Sequence, residues 1–194
     1  MNKHIFLDNL TSSIGALVSG KMKFFSKSIE SESFETLIKS VEISLPEITG
    51  EGIFTPEAKT SAGIIDPAFR VEKWLGSGYP TIIYHHGNNE RPFDYSRKAK
   101  NTFYHIFVKE REAFAANLIV VRAPFHNCSL GEYQEKMTDL RNFMLMIAVS
   151  VRLNEALIAS VASGNEMPVI TSGISLGGWV TNLHRSIFNS SGMY

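Results

Sequence analysis

Pro168-Val169-Ile170-Thr171-Ser172-Gly173-Ile174-Ser175-Leu176-Gly177-Gly178 is the stretch on which the reading of this chain turns. Its first half, a proline followed by apolar and β-branched residues, predicts a buried strand over 168–172. Its second half fits Gly-x-Ser-x-Gly at Gly173, Ser175 and Gly177 and runs directly into a helical pattern from Leu176 to Phe188. That spacing has a mechanical reason. A sharp bend from strand to helix lifts a serine hydroxyl clear of the sheet, and the positions on either side need glycine because a side chain there would collide with neighbouring backbone. The helix N-terminus then offers unpaired N–H groups and a dipole to any negative charge that develops on an atom bonded to the serine. Ser175 is therefore the candidate nucleophile, with Gly173 and Gly177 as its structural support.

Working back from this motif, continuous apolar runs at Thr81–Tyr84 and Leu118–Val121 predict two more buried strands, the first of them the first central strand. Between them, Pro92 to Asn117 reads as one helix or two abutting ones, from its Lys, Arg, Glu and Ala content and the aromatics Phe103, Phe107 and Phe114. Glu132 to Ser163 reads as a long helix dense enough in apolar residues to pack on a sheet. Strand, helix, strand, helix, strand, helix at this spacing predicts an α/β fold with a mostly parallel sheet and flanking helices. Upstream, Thr36 to Phe54 carries short β-type runs. Val41 to Leu45 alternates as a half-buried strand does, with Phe69 to Leu75 as its expected partner. Residues 1–35 have loosely helical spacing and are expected to form an N-terminal helical extension, leaving 36–194 as the main domain.

In a parallel sheet, ligands bind beyond the carboxyl ends of the strands. The strand ending at Tyr84 is followed there by His85-His86-Gly87-Asn88-Asn89. The glycine lets the backbone turn close to a ligand. His86 is tempting as a general base, but a histidine beside such a glycine is expected rather to pin the loop by hydrogen bonds. His105, His126 and Cys128 show no metal-ligand spacing; His126 and Cys128 follow a strand end and are secondary candidates to line a pocket. Arg122 and Asp94 read as solvated or paired near loop ends.

The pairing of His86-Gly87 after one strand with Gly173-Ile174-Ser175-Leu176-Gly177-Gly178 after a later one resembles the α/β-hydrolase superfamily, over roughly Val41 to Phe188. The resemblance implies a serine hydrolase acting on an ester, thioester or amide through an acyl-enzyme on Ser175. Its oxyanion hole would be formed by the backbone N–H groups of Leu176 and of Asn88, or less favourably Gly87. It also implies triad partners in the order serine, acid, histidine. No Asp or Glu follows Ser175, however, and the only later histidine is His184. Nine residues into a helix lies ~13 Å along its axis, out of reach of the hydroxyl, so His184 is expected to be a surface or packing residue. The acid and the histidine are accordingly expected beyond Tyr194, together with missing C-terminal strands, and the chain alone is expected to be inactive. The alternative reading is a non-catalytic, hydrolase-like module kept for binding or partner contact.

Composition narrows the partners. Lys plus Arg and Asp plus Glu both number 19, giving a formal charge of zero, so no overall field favours nucleic acid or another polyanion. The expected partner is a small-molecule acyl substrate. One cysteine excludes an internal disulfide and a cysteine-rich zinc site. No cofactor or metal is expected. Trp179-Val180 replaces the Lys-Ser/Thr of a phosphate-binding loop after Gly173 to Gly178, and no Gly-x-Gly-x-x-Gly occurs. The apolar run Phe143 to Val151 is short of the ~20 residues that cross a bilayer and reads as a buried helix. With no export signal legible at the N-terminus, a cytoplasmic location is the default expectation.

Overall fold

The computed structural model describes residues 23–163 and 166–188. Most of the expected N-terminal helical extension thus lies outside the described residues, and its described part, 23–33, consists of turns and a single β-bridge. The first helix, α1, spans Phe34–Ser40 and is started by Ser33, whose hydroxyl accepts the Thr36 N–H at 3.1 Å. That cap explains why Thr36 to Ser40, read as β-type, is helical.

Eight strands follow, with three further helices among and after them. A three-stranded antiparallel sheet has the order β1 (Glu42–Ser44), β3 (Glu57–Thr60), β4 (Gly63–Ile65). The main sheet has five strands in the order β2 (Gly52–Phe54), β5 (Ala68–Lys73), β7 (Asn117–Arg122), β6 (Thr81–His85), β8 (Val169–Gly173). Here the expectation of a mostly parallel sheet of the α/β-hydrolase kind is overturned. β2–β5 and β5–β7 are antiparallel, only β7–β6 and β6–β8 are parallel, and the second sheet is antiparallel throughout. The fold is mixed α/β. Both parallel pairs, β6–β7 and β6–β8, are joined by connections well beyond the dozen or so residues that a parallel crossover needs. Phe69 to Leu75 is likewise not the partner of the 41–45 strand; β5 lies between β2 and β7, and β1 pairs with β3.

Pro92 to Asn117 is not a helix. It is a run of turns, one π-helical turn at Tyr104–Val108 and one 3-10 turn at Arg111–Ala113. Asn101 holds it in that form: its amide donates to the carbonyls of Pro92 and Asp94, and its Oδ1 accepts the Tyr104 N–H at 2.9 Å. Such side-chain bonds compete with a helical ladder. The aromatic spacing recorded burial instead, since Phe103, Phe107 and Phe114 pack with Tyr84, Leu118 and Val120 on one face of the sheet.

The expected helix over 132–163 is two helices, α2 (Leu130–Lys136) and α3 (Leu140–Ala162). Each has its own cap: a reciprocal Ser129–Glu132 capping box starts α2, and the Asp139 carboxylate receives the Arg141 N–H at 2.9 Å to start α3. By length and composition α3 could cross a membrane. In the fold its apolar side is packed: Leu153, Leu157 and Val161 cover Phe69, Val71, Ile83, Ile119 and Val121, on the opposite sheet face from the aromatics. The last helix, α4 (Leu176–Phe188), lies against α3, β8 and β6. β8 has a single neighbour and Ile170 is exposed, so it is an edge strand and not the fully buried one expected.

Candidate functional site

β8 leaves the sheet at Gly173, and α4 begins three residues later at Leu176. The whole change of direction falls on Ile174 and Ser175. Ser175 takes it up with φ of 53°, a left-handed conformation that costs a non-glycine residue about 1–3 kcal/mol and persists only where its surroundings enforce it. The enforcement is visible. A Cβ on Gly177 would stand 1.9 Å from the His85 carbonyl oxygen, and one on Gly173 would stand 2.5 Å from the Gly177 carbonyl carbon and 2.8 Å from that same oxygen. The first turn of α4 therefore presses on the end of β6 so closely that only glycine fits, and Ser175 is left exposed at the top of the bend. The bend is closed by the Gly177 N–H on Ile174 O at 2.9 Å and the Trp179 N–H on Ser175 O at 3.0 Å.

The loop after β6 stands beside this bend. His86 is fully buried, and its role is readable from its partners: Nε2 accepts the Ala123 N–H at 3.0 Å, which leaves Nδ1 to donate to the Gly87 carbonyl at 2.6 Å. The ring is thereby a neutral Nδ1–H tautomer tying the loop to the end of β7. Burial, with the neighbouring histidines, holds its pKa well below the ordinary histidine value. Both ring nitrogens are occupied, so it pins the loop and does not serve as a base. Gly87 packs against Ile174, where an added Cβ would lie 3.3 Å from Cγ2. The turn closes with the Glu90 N–H on Gly87 O at 3.3 Å, and Asn89 carries a φ of 61°.

Ser175, Leu176 and Asn88 line one cavity of about 510 Å³, whose remaining walls are the rings of Phe24, Phe25, Phe143 and Trp179. Two N–H groups at this cavity, those of Leu176 and Asn88, have no acceptor among the described residues. The cavity thus brings the exposed Ser175, at its strained bend, beside Leu176 and the loop residue Asn88. Asn88 is held in place by Tyr133, whose hydroxyl donates to Asn88 Oδ1 in a short hydrogen bond. Burial pushes the Tyr133 pKa up, keeping that hydroxyl protonated as the donor.

The other sequence candidates lie elsewhere. His126 and Cys128 line a second cavity of about 340 Å³, with Tyr133, Arg91 and Lys100. The Asn88–Tyr133 hydrogen bond links the walls of the two cavities. Burial raises the Cys128 pKa, and its thiol donates to Phe125 O, so it is not an activated thiolate. His184 is a packing residue, fully buried, with Nε2 2.6 Å from the Glu155 carboxylate on α3. Asp94 is half-buried and its carboxylate accepts the Ser96 N–H, while the Arg122 guanidinium lies over the Phe93 ring. No cluster of metal-ligating side chains occurs among the described residues.

Sequence reading missed the aromatic walls and Tyr133. Trp179 was within reach of it, since a residue four places after Ser175 on a helix shares its face. Phe24, Phe25, Tyr133 and Phe143 arrive by long-range packing and left no local signal. Comparison with family models, with curated proteins and with solved structures finds no match for this chain.

Proposed function

We propose that this chain carries the nucleophile of an acyl-transfer enzyme, with Ser175 attacking the carbonyl carbon of an ester, thioester or amide. The observation that carries the reading is the left-handed φ of Ser175, at 53°, between two glycines that admit no side chain. A strained serine enforced by close packing and left exposed makes sense for a group that must meet a substrate.

In this reading Ser175 Oγ forms a bond to the acyl carbon and gives up its proton to a base. The N–H groups of Leu176 and Asn88 receive the oxyanion, and the leaving group departs with a proton. Water then attacks the acyl-enzyme, releasing the carboxylic acid and restoring the Ser175 hydroxyl. His86 and Gly87 hold the loop that presents Asn88. None of the described histidines meets Ser175, so the reading assigns the base and its orienting acid to residues outside those described.

A fluorophosphonate probe tests this on the natural protein. Labelling that disappears in Ser175→Ala supports the nucleophile. Labelling that is absent, or indifferent to Ser175→Ala, overturns it and leaves the alternative of a non-catalytic binding module.

A further inference from the structure

Phe24 and Phe25 belong to neither β8 nor α4, yet they wall the cavity that holds Ser175. They sit on a short strap that runs across the junction of α2 and α3. The strap is held by the Phe25 N–H on Met137 O at 3.0 Å, the Lys27 N–H on Thr138 O at 2.9 Å and the Leu140 N–H on Ser28 O at 3.0 Å. Phe25 itself has a φ of 60°. An aromatic residue in that conformation is strained, and the backbone bonds on either side enforce it. The strain has a visible result: Phe25 packs edge-on against Phe143 at 5.3 Å between centroids, and Phe143 in turn meets Trp179 at 5.9 Å. Phe24 closes the group at 6.3 Å from Phe143.

The enclosure is apolar and unfinished. Phe24 and Trp179 remain 40% and 50% exposed, and no residue lining the cavity is charged. Four rings facing a common space are poorly solvated and gain by covering an apolar ligand. Its volume, about 510 Å³, falls in the range of roughly 300–1,000 Å³ usual for small-molecule sites.

We infer that this aromatic enclosure is the acyl subsite of Ser175, and that it selects substrates whose acyl group is an uncharged, apolar chain or ring. The inference rests on the nucleophile assignment and adds the substrate class. The acyl portion is assigned as the occupant because it alone remains on Ser175 between the two half-reactions, after the leaving group has departed, and Ser175 lines this cavity. Phe24 and Trp179 are the residues that set the preference. A carboxylate or ammonium on the acyl chain would be desolvated there with no partner, and is rejected.

The test is a series of p-nitrophenyl esters from acetate to octanoate on the natural protein. The kcat/KM is expected to rise about fourfold for each added methylene, the gain from burying it. Phe24→Ala and Trp179→Ala, both at exposed positions, are expected to flatten that rise with chain length, and a rise as steep as that of the unsubstituted protein would overturn their assignment. Ser175-dependent hydrolysis that is flat or falling with chain length overturns the inference and leaves the nucleophile standing. If no Ser175-dependent hydrolysis is found, the nucleophile reading fails and the enclosure is judged by binding alone. In Ser175→Ala carrying Trp74→Phe, octanoate should then quench Trp179 fluorescence and acetate should not. Absence of that difference overturns the enclosure as an apolar site.

Discussion

The backbone N–H of Ala123 donates to Nε2 of His86 at 3.0 Å, and this one bond fixes which nitrogen of a buried imidazole carries the proton. The consequence is a pH dependence of folding. His86 is held well below the ordinary value of 6.5 by burial, and His85 and His126 are lowered to about 4, again first by burial. A folded-state pKa below the unfolded one means the unfolded chain binds more protons between the two values, so stability is complete above pH 6.5 and is lost as pH falls towards 4. Each histidine contributes a slope approaching about 1.4 kcal/mol per pH unit within that window. Urea unfolding at pH 7, 6 and 5 should show the decline, and His86→Asn, though less stable at pH 7, should show a shallower one.

Gly177 makes the tightest backbone approach at the site. Gly177→Ala places a methyl 1.9 Å from the His85 carbonyl oxygen, against backbone that cannot yield. The substitution should cost about 4 kcal/mol or more, a size reserved for steric failures of this kind. Gly178→Ala is the control: its Cβ meets nothing nearer than 3.4 Å, and a helical alanine is favoured over glycine by about 1 kcal/mol. Urea midpoints of the two variants should therefore move in opposite directions.

Ser175 stores strain that glycine would not. Ser175→Gly should be more stable than Ser175→Ala by about 1 kcal/mol, because alanine keeps the penalty of a left-handed φ and glycine is relieved of it. Thermal unfolding of the pair measures this without reference to any activity. Equal stability would mean that the bend is not enforced.

Under the proposed function, Tyr133 is a positioning residue acting through Asn88, to which its hydroxyl donates. Tyr133→Phe removes the hydrogen bond to Asn88 Oδ1 and should slow Ser175 labelling by a fluorophosphonate about fivefold, the equivalent of one hydrogen bond. A merely structural Tyr133 would lower the urea midpoint and leave the labelling rate of the folded protein unchanged.

How much of this was legible beforehand depends on the range of the interaction that decides each element. β6, β7, β8 and α4 were readable because their apolar runs and flanking glycines and prolines are local signals. The Gly173–Ser175–Gly177 bend was readable because its steric demand is written in the residue types themselves. The mixed sheet was not, since nothing in Ala68–Lys73 records that it will lie beside Asn117–Arg122 and run against it. The false helix at 92–117 arose from Phe103, Phe107 and Phe114, whose burial imitates a helical period while Asn101 ties the backbone into turns. The break between α2 and α3 rests on a cap at Asp139 that sits inside an otherwise continuous apolar pattern. At the candidate site, the nearness of Ser175 to the loop carrying Asn88 follows from two local motifs at strand ends, whereas the ring enclosure depends on a strap more than a hundred residues upstream of its Trp179 neighbour.

The most direct measurement is mass-spectrometric mapping of the adduct left by a fluorophosphonate on the natural protein. A tryptic digest releases residues 153–185 as one peptide, which contains Ser160, Ser163, Ser172 and Ser175. The account predicts a single stoichiometric adduct on Ser175 and none in Ser175→Ala. An unmodified peptide after exhaustive treatment, or an adduct on another serine, would contradict it.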